Sequence, residues 1–190
     1  MNKKEFVTQI PEPSVSRLFF ADTRLAWIWL VMRLYVAWIW LEVGWKKVND
    51  PLWIGDHAGL VVKGFVSGAL NKTEGSYPDV AGWYAVFLKE FVLPNATLFS
   101  YVVAYGELLV GAGLILGAFT GITAFFGSLM NMSYLFAGTV SVNPIMALLQ
   151  LFLILAWRVA GWYGLDRYLL PLLGTPWHPG KLFQKPANDK

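Results

Sequence analysis

Cysteine is absent from the 190 residues, which excludes disulfides, thiolate metal sites, iron–sulfur clusters and thiol redox catalysis within the chain. Any redox chemistry must therefore borrow its centre from elsewhere. Histidine is nearly absent: His57 and His178 are the two present, and both fall in segments that read as loops, which argues against a haem held by two histidines between membrane helices. No haem, metal or flavin is expected in this chain. Charge is scarce as well, at 14% of residues against roughly 25% in soluble proteins. With 56% of residues hydrophobic, a water-soluble monomer is excluded. The net charge of +3 comes without any basic run interleaved with aromatics, so no nucleic-acid partner is expected.

What the chain does have is long apolar runs. Crossing about 30 Å of hydrocarbon takes about 20 apolar residues, and four runs of that kind lie at about 25–43, 98–118, 121–140 and 144–162. They predict an all-α fold, an integral membrane four-helix bundle forming one domain over 1–190. The stretch 44–97 carries five lysines and five acidic residues, too many for lipid, and its apolar parts at 58–70 and 80–93 read as two short interfacial helices separated by the turn-rich Asn71–Asp79. The other two connections are short and uncharged, which makes neighbouring spans antiparallel. The interrupted tail 163–190 is cut by Pro171 and Gly174; it reads as a cytoplasmic amphipathic segment with Asp166 and Arg167 toward water.

Lysine and arginine counts set the orientation. Residues 1–24 and 158–190 carry nine, against five in 44–97. Both termini are therefore expected in the cytoplasm, with 44–97 an extracytoplasmic loop of a multi-pass cell-membrane protein.

Ionisable side chains inside spans are costly, and Arg33 and Glu107 stand out for that reason. Arg33, Ala37, Trp40, Gly44 and Lys47 recur at helical steps and share one face of the first span, whereas Glu42 points away. Depth along each helix, measured at about 1.5 Å per residue, sets Arg33, Glu107, Asn131 and Gln150 near one level in the bilayer. The expectation is an inward cluster with Glu107 as counter-ion to Arg33 and the two amides completing the hydrogen bonds. Trp40, Tyr105 and Lys47 would cap it toward the outside. Gly106, Gly111, Gly113, Gly117 and Gly121 supply small-residue steps of the kind that let helix backbones approach in lipid, and read as packing.

The stretch from Arg33 to Lys47, Tyr105–Gly117 with Glu107 inside it, then Asn131, Asn143–Pro144 and Gly161–Arg167 together resemble the DoxX/DoxD family of small prokaryotic membrane proteins. That resemblance implies a four-helix membrane bundle with a quinone-linked redox role, in a bacterial or archaeal cell membrane. It implies quinone as substrate and a partner redox subunit, with a small inorganic sulfur compound such as thiosulfate as one possible donor. Under this reading Arg33 and Glu107 are the catalytic candidates, and Trp40, Lys47, Tyr105, Asn131 and Gln150 line the substrate or quinone site. Besides the lipid bilayer and the quinone, the expected partner is that redox subunit or a second copy of the chain. The alternative is a non-catalytic anchor or assembly subunit of a redox complex, in which the same polar cluster only locks the helices.

Overall fold

A run of apolar residues has one conformation that satisfies every backbone amide without water or a neighbouring strand, the α-helix. The computed structural model describes residues 12–174, and its regular elements are all helical. They are α1 (Ser14–Ala21), α2 (Ala26–Val48), α3 (Leu60–Leu70), α4 (Gly82–Phe87, running on into a π-helical turn over Leu88–Val92), α5 (Ala96–Leu116), α6 (Thr120–Phe136), α7 (Asn143–Leu155), α8 (Trp157–Ala160) and α9 (Asp166–Leu172). α2, with the turn before it, and α5 are long and apolar enough to cross a membrane. α6 and α7 are shorter, at 17 and 13 residues, and α8 prolongs α7 after a break at Ala156.

α2 packs mainly on α5 and α6 mainly on α7, while α5 also meets α6 and α2 meets α7, so the four helices close into a ring of neighbours. Glycines set how near they come. A Cβ on Gly44 would lie 2.6 Å from the backbone nitrogen of Leu108, and one on Gly111 would lie 2.7 Å from that of Leu41. Arg33 lies against Gly117 farther along, so α2 and α5 run antiparallel. Gly113 likewise meets Thr123 and Gly121 meets Trp157, which is the packing use that the small-residue spacing predicts.

The main core lies inside this ring, around Val36, Trp40, Leu114, Ala124, Met146 and Leu153. A second core, around Val66, Val80, Tyr84, Leu88 and Ala137, joins α3 and α4 over one end of the ring. These two helices do not lie apart on a surface; they form a roof. Ser100 Oγ donates to the carbonyl of Trp53 at 2.7 Å, Lys72 Nζ to that of Gly138 at 2.7 Å, and Tyr84 Oη to that of Ser133 at 2.9 Å. Burial raises the Tyr84 phenol above its ordinary pKa, so it stays a hydrogen-bond donor to α6.

The opposite end is closed by a latch. The α5–α6 turn takes left-handed backbone at Gly117 (φ 62°) and Phe119 (φ 47°), and α6 starts without a side-chain cap of its own. Asp166 supplies it: its carboxylate accepts the N–H of Phe119 at 2.5 Å and of Thr120 at 2.9 Å. The expectation that Asp166 faces water is therefore corrected, since it is only 2% exposed. A carboxylate is drawn to the unsatisfied amides and positive dipole end of a helix start, and that attraction outweighs exposure here. Arg167 is exposed, as expected. The tail beyond 174, with His178, lies outside the described residues.

Candidate functional site

Polar groups buried among apolar helices must find partners or cost several kcal/mol each, and tracing them reveals two separate centres. The first surrounds Glu107, which α5 buries to 1% exposure. Lys47 Nζ, reaching in from the last turn of α2, lies 2.6 Å from Glu107 Oε1. Tyr134 Oη, from α6, donates to the same oxygen at 2.6 Å and accepts from Lys47 Nζ at 3.2 Å. The ammonium also sits 4.4 Å from the ring centre of Trp53 and 5.3 Å from that of Tyr134, a cation–π arrangement that offsets part of its lost hydration. Glu107 Oε2 is buried and has no partner.

The second centre lies at the latch end. Arg33, 1% exposed, donates through Nη2 to the carbonyl of Tyr163 at 2.9 Å, and its Nη1 lies between Gly117 and Gly164. The expectation that Glu107 is the counter-ion of Arg33 is corrected by these contacts, for two reasons. Gly44, which meets Glu107 and Leu108, stands eleven residues beyond Arg33 on α2, roughly 16 Å along the axis, so the two do not share a level. Side chains also slant toward the N-terminus of their own helix. Because α2 and α5 are antiparallel, Arg33 reaches toward the latch and Glu107 toward the roof.

Between roof and ring lies a cavity of about 840 Å³, within the range of small-molecule sites. Trp40, Lys47, Glu107 and Asn131 of the expected set line it, together with Trp53 and Tyr134. The indole N–H of Trp40 is buried without a partner. Asn131 Nδ2 donates to Gln150 Oε1 at 2.9 Å, a fully buried amide pair, with Gln150 behind the wall. Tyr105 does not join the site: it is 47% exposed and stacks on Tyr101 with ring centres 6.4 Å apart. Arg33 is not in the lining either.

Tyr134 and Trp53 are the residues that sequence reasoning missed. Tyr134 had a signal, since it follows Asn131 by three residues and so shares its helix face. Trp53 had none, because its place depends on how the loop after α2 folds back.

The arrangement offers an acid–base pair, a hydroxyl bridging it, and one unsatisfied acceptor and one unsatisfied donor beside an apolar cavity. No curated protein and no solved structure matches the chain. A family model named DoxX matches residues 28–140, more than half of the chain and a range that contains Trp40, Lys47, Trp53, Glu107, Asn131 and Tyr134. The chain therefore belongs to the membrane-associated DoxX family.

Proposed function

We propose that this chain is the membrane subunit of a quinone-linked oxidoreductase and that the roofed cavity takes the quinone head. One observation carries the reading: Glu107 Oε2, an acceptor, and Trp40 Nε1, a donor, are both buried and unpartnered on residues lining one largely apolar cavity. The quinone/quinol couple has the matching character, an apolar disc whose carbonyl oxygen accepts from Trp40 and whose hydroxyl, once the ring is reduced, donates to Glu107 Oε2. Converting quinone to quinol takes two electrons and two protons. The electrons come from a partner redox subunit, for which thiosulfate is one candidate donor, because this chain has no cysteine to ligate a cluster.

The chain's own residues handle position and protons. The Trp40 indole donates to a ring oxygen, and the Lys47 ammonium offsets negative charge as it develops there. The Glu107 carboxyl group hands the two protons to the ring one after the other and takes up a proton from water before each transfer, and Tyr134 holds both Glu107 and Lys47 in reach of the ring. The role first expected of Arg33 passes to Lys47, and Arg33 becomes a residue that fixes α2 against the latch. In this reading α2, α5, α6 and α7–α8 all cross the bilayer, both termini are cytoplasmic and the roof lies outside.

A second reading has its own support: the Lys47–Glu107 pair and the Arg33–Tyr163 hydrogen bond tie α2 to α5 and to the chain after α8, as an assembly subunit needs. Glu107→Gln separates the two, since it keeps the shape and a hydrogen bond but removes charge and proton. With the partner present, a folded Glu107→Gln protein that reduces quinone at the parental rate would leave only the locking role.

A further inference from the structure

The cavity is not sealed on all sides. Its lining includes residues on the outer surface of the ring, Leu109 of α5 and Ile122, Phe126 and Leu129 of α6, which are 70%, 59%, 53% and 52% exposed. Side chains that face outward and also line the cavity mark where it reaches the surface; Val43, Phe87 and Val142 do so singly on other elements, whereas Val102 joins the four above along one seam, between α5 and α6. That seam is loosely packed: α5 meets α6 far less than it meets α2. At its centre Gly106 presents no side chain, and the Cε and Sδ of Met130 lie 3.5 and 3.6 Å from where a Cβ would stand. Opposite Gly106 the seam is thus filled by an unbranched, flexible thioether.

We propose that the seam between α5 and α6 is a lateral portal to the bilayer, through which the apolar tail of a membrane-borne quinone runs while its head sits at Glu107. This rests on the quinone reading above and adds the route and the requirement for a tail. The occupant follows from the order of groups along the path. Unpartnered polar atoms, Glu107 Oε2 and Trp40 Nε1, lie at the buried end, then Met130 and Gly106, then exposed aliphatic and aromatic side chains. That sequence complements an amphiphile with a small two-sided polar head and a long hydrocarbon tail. A lipid with a charged headgroup fits poorly, because its head would have to be drawn, desolvated, past Met130 into the interior.

The test compares two ligands on the purified full-length protein in lipid nanodiscs: a benzoquinone bearing one isoprenyl unit and the same head bearing eight. For each ligand, Kd of the Gly106→Leu protein is divided by that of the parent, which cancels partitioning into lipid. Leucine at 106 fills the seam, so the long-tailed quinone is expected to lose at least tenfold while the short-tailed one changes less than about twofold. Leu129→Trp, at the exposed mouth, gives the same comparison if Gly106→Leu does not fold. Equal losses for both ligands, or no loss for either, overturn the portal and leave the seam to bilayer acyl chains. If the parent binds neither quinone, the head site itself fails and the portal with it, whereas a short-tailed quinone that binds and competes with the long one keeps the head site standing alone.

Discussion

Lys47 and Glu107 meet at 2.6 Å across two helices, although 60 residues separate them in sequence. Glu107 is 1% exposed and Lys47 15%, so the pair is largely withdrawn from water and neither member can lose the other cheaply. Breaking a buried pair from one side leaves an uncompensated charge, whereas removing both leaves none. Lys47→Met and Glu107→Gln are each expected to destabilise the protein by about 2–4 kcal/mol. The double variant should be less destabilised than the two losses added, with a coupling of about 1–3 kcal/mol. Denaturation in detergent checks this, and simple additivity would mean the pair is not a tie between α2 and α5.

Tyr134 is bound into the same centre by its hydroxyl alone as far as polarity goes, so Tyr134→Phe removes the donor to Glu107 and the acceptor for Lys47 and keeps the ring against Lys47. A loss of about 1–2 kcal/mol in stability follows from the two deleted hydrogen bonds. With the partner subunit present, quinone turnover is expected to drop about tenfold, because Glu107 and Lys47 are then less well held. Unchanged turnover in a stable Tyr134→Phe protein would remove Tyr134 from the site.

At the latch, Gly161 leaves just enough space for the Asp166 carboxylate, and a Cβ there would collide with it. Gly161→Ala should therefore cost as much as Asp166→Ala, about 1–2 kcal/mol from the lost cap on α6. Combining the two should add little, since both remove one interaction. Thermal melts of the three variants decide the point, and a full additive loss would show that Gly161 matters for some other reason.

Orientation is tested by a single cysteine, available because the natural chain has none. Introduced at Thr73, in the turn after α3, it should react with an impermeant thiol reagent in intact cells. Labelling only after lysis would place the roof in the cytoplasm.

Much of this arrangement was legible in the residue pattern. The face Arg33, Ala37, Trp40 and Gly44 of α2 is buried as its spacing predicts, and Glu42 points out to pair with Lys46 at 2.6 Å. Glu107 and the glycines of α5 were visible for the same reason, since charge and small residues are rare inside apolar runs. The relation between Arg33 and Glu107 was not visible. Composition ends the first span at Val43, yet the helix runs on to Val48, because lysine is a good helix former and Lys46 and Lys47 each find a carboxylate, on Glu42 and Glu107. α5 likewise starts beyond the end of α2, against Trp53 and Gly59, so counting from span ends gave a false common level. Asp166 was misread because an acid in a polar tail looks solvated until the uncapped start of α6 is brought against it.

The most direct test of the central claim is where a photoreactive quinone attaches. Membranes containing the protein are irradiated with an azido-benzoquinone and the labelled peptides mapped, with excess unmodified quinone as competitor. The account predicts competable labelling confined to the cavity wall, at Trp40–Lys47 of α2, Trp53, Gly106–Val110 of α5 and Met130–Tyr134 of α6, reduced by Glu107→Gln. Labelling that excess quinone does not displace, or that falls instead at the latch around Arg33 and Tyr163, would contradict it.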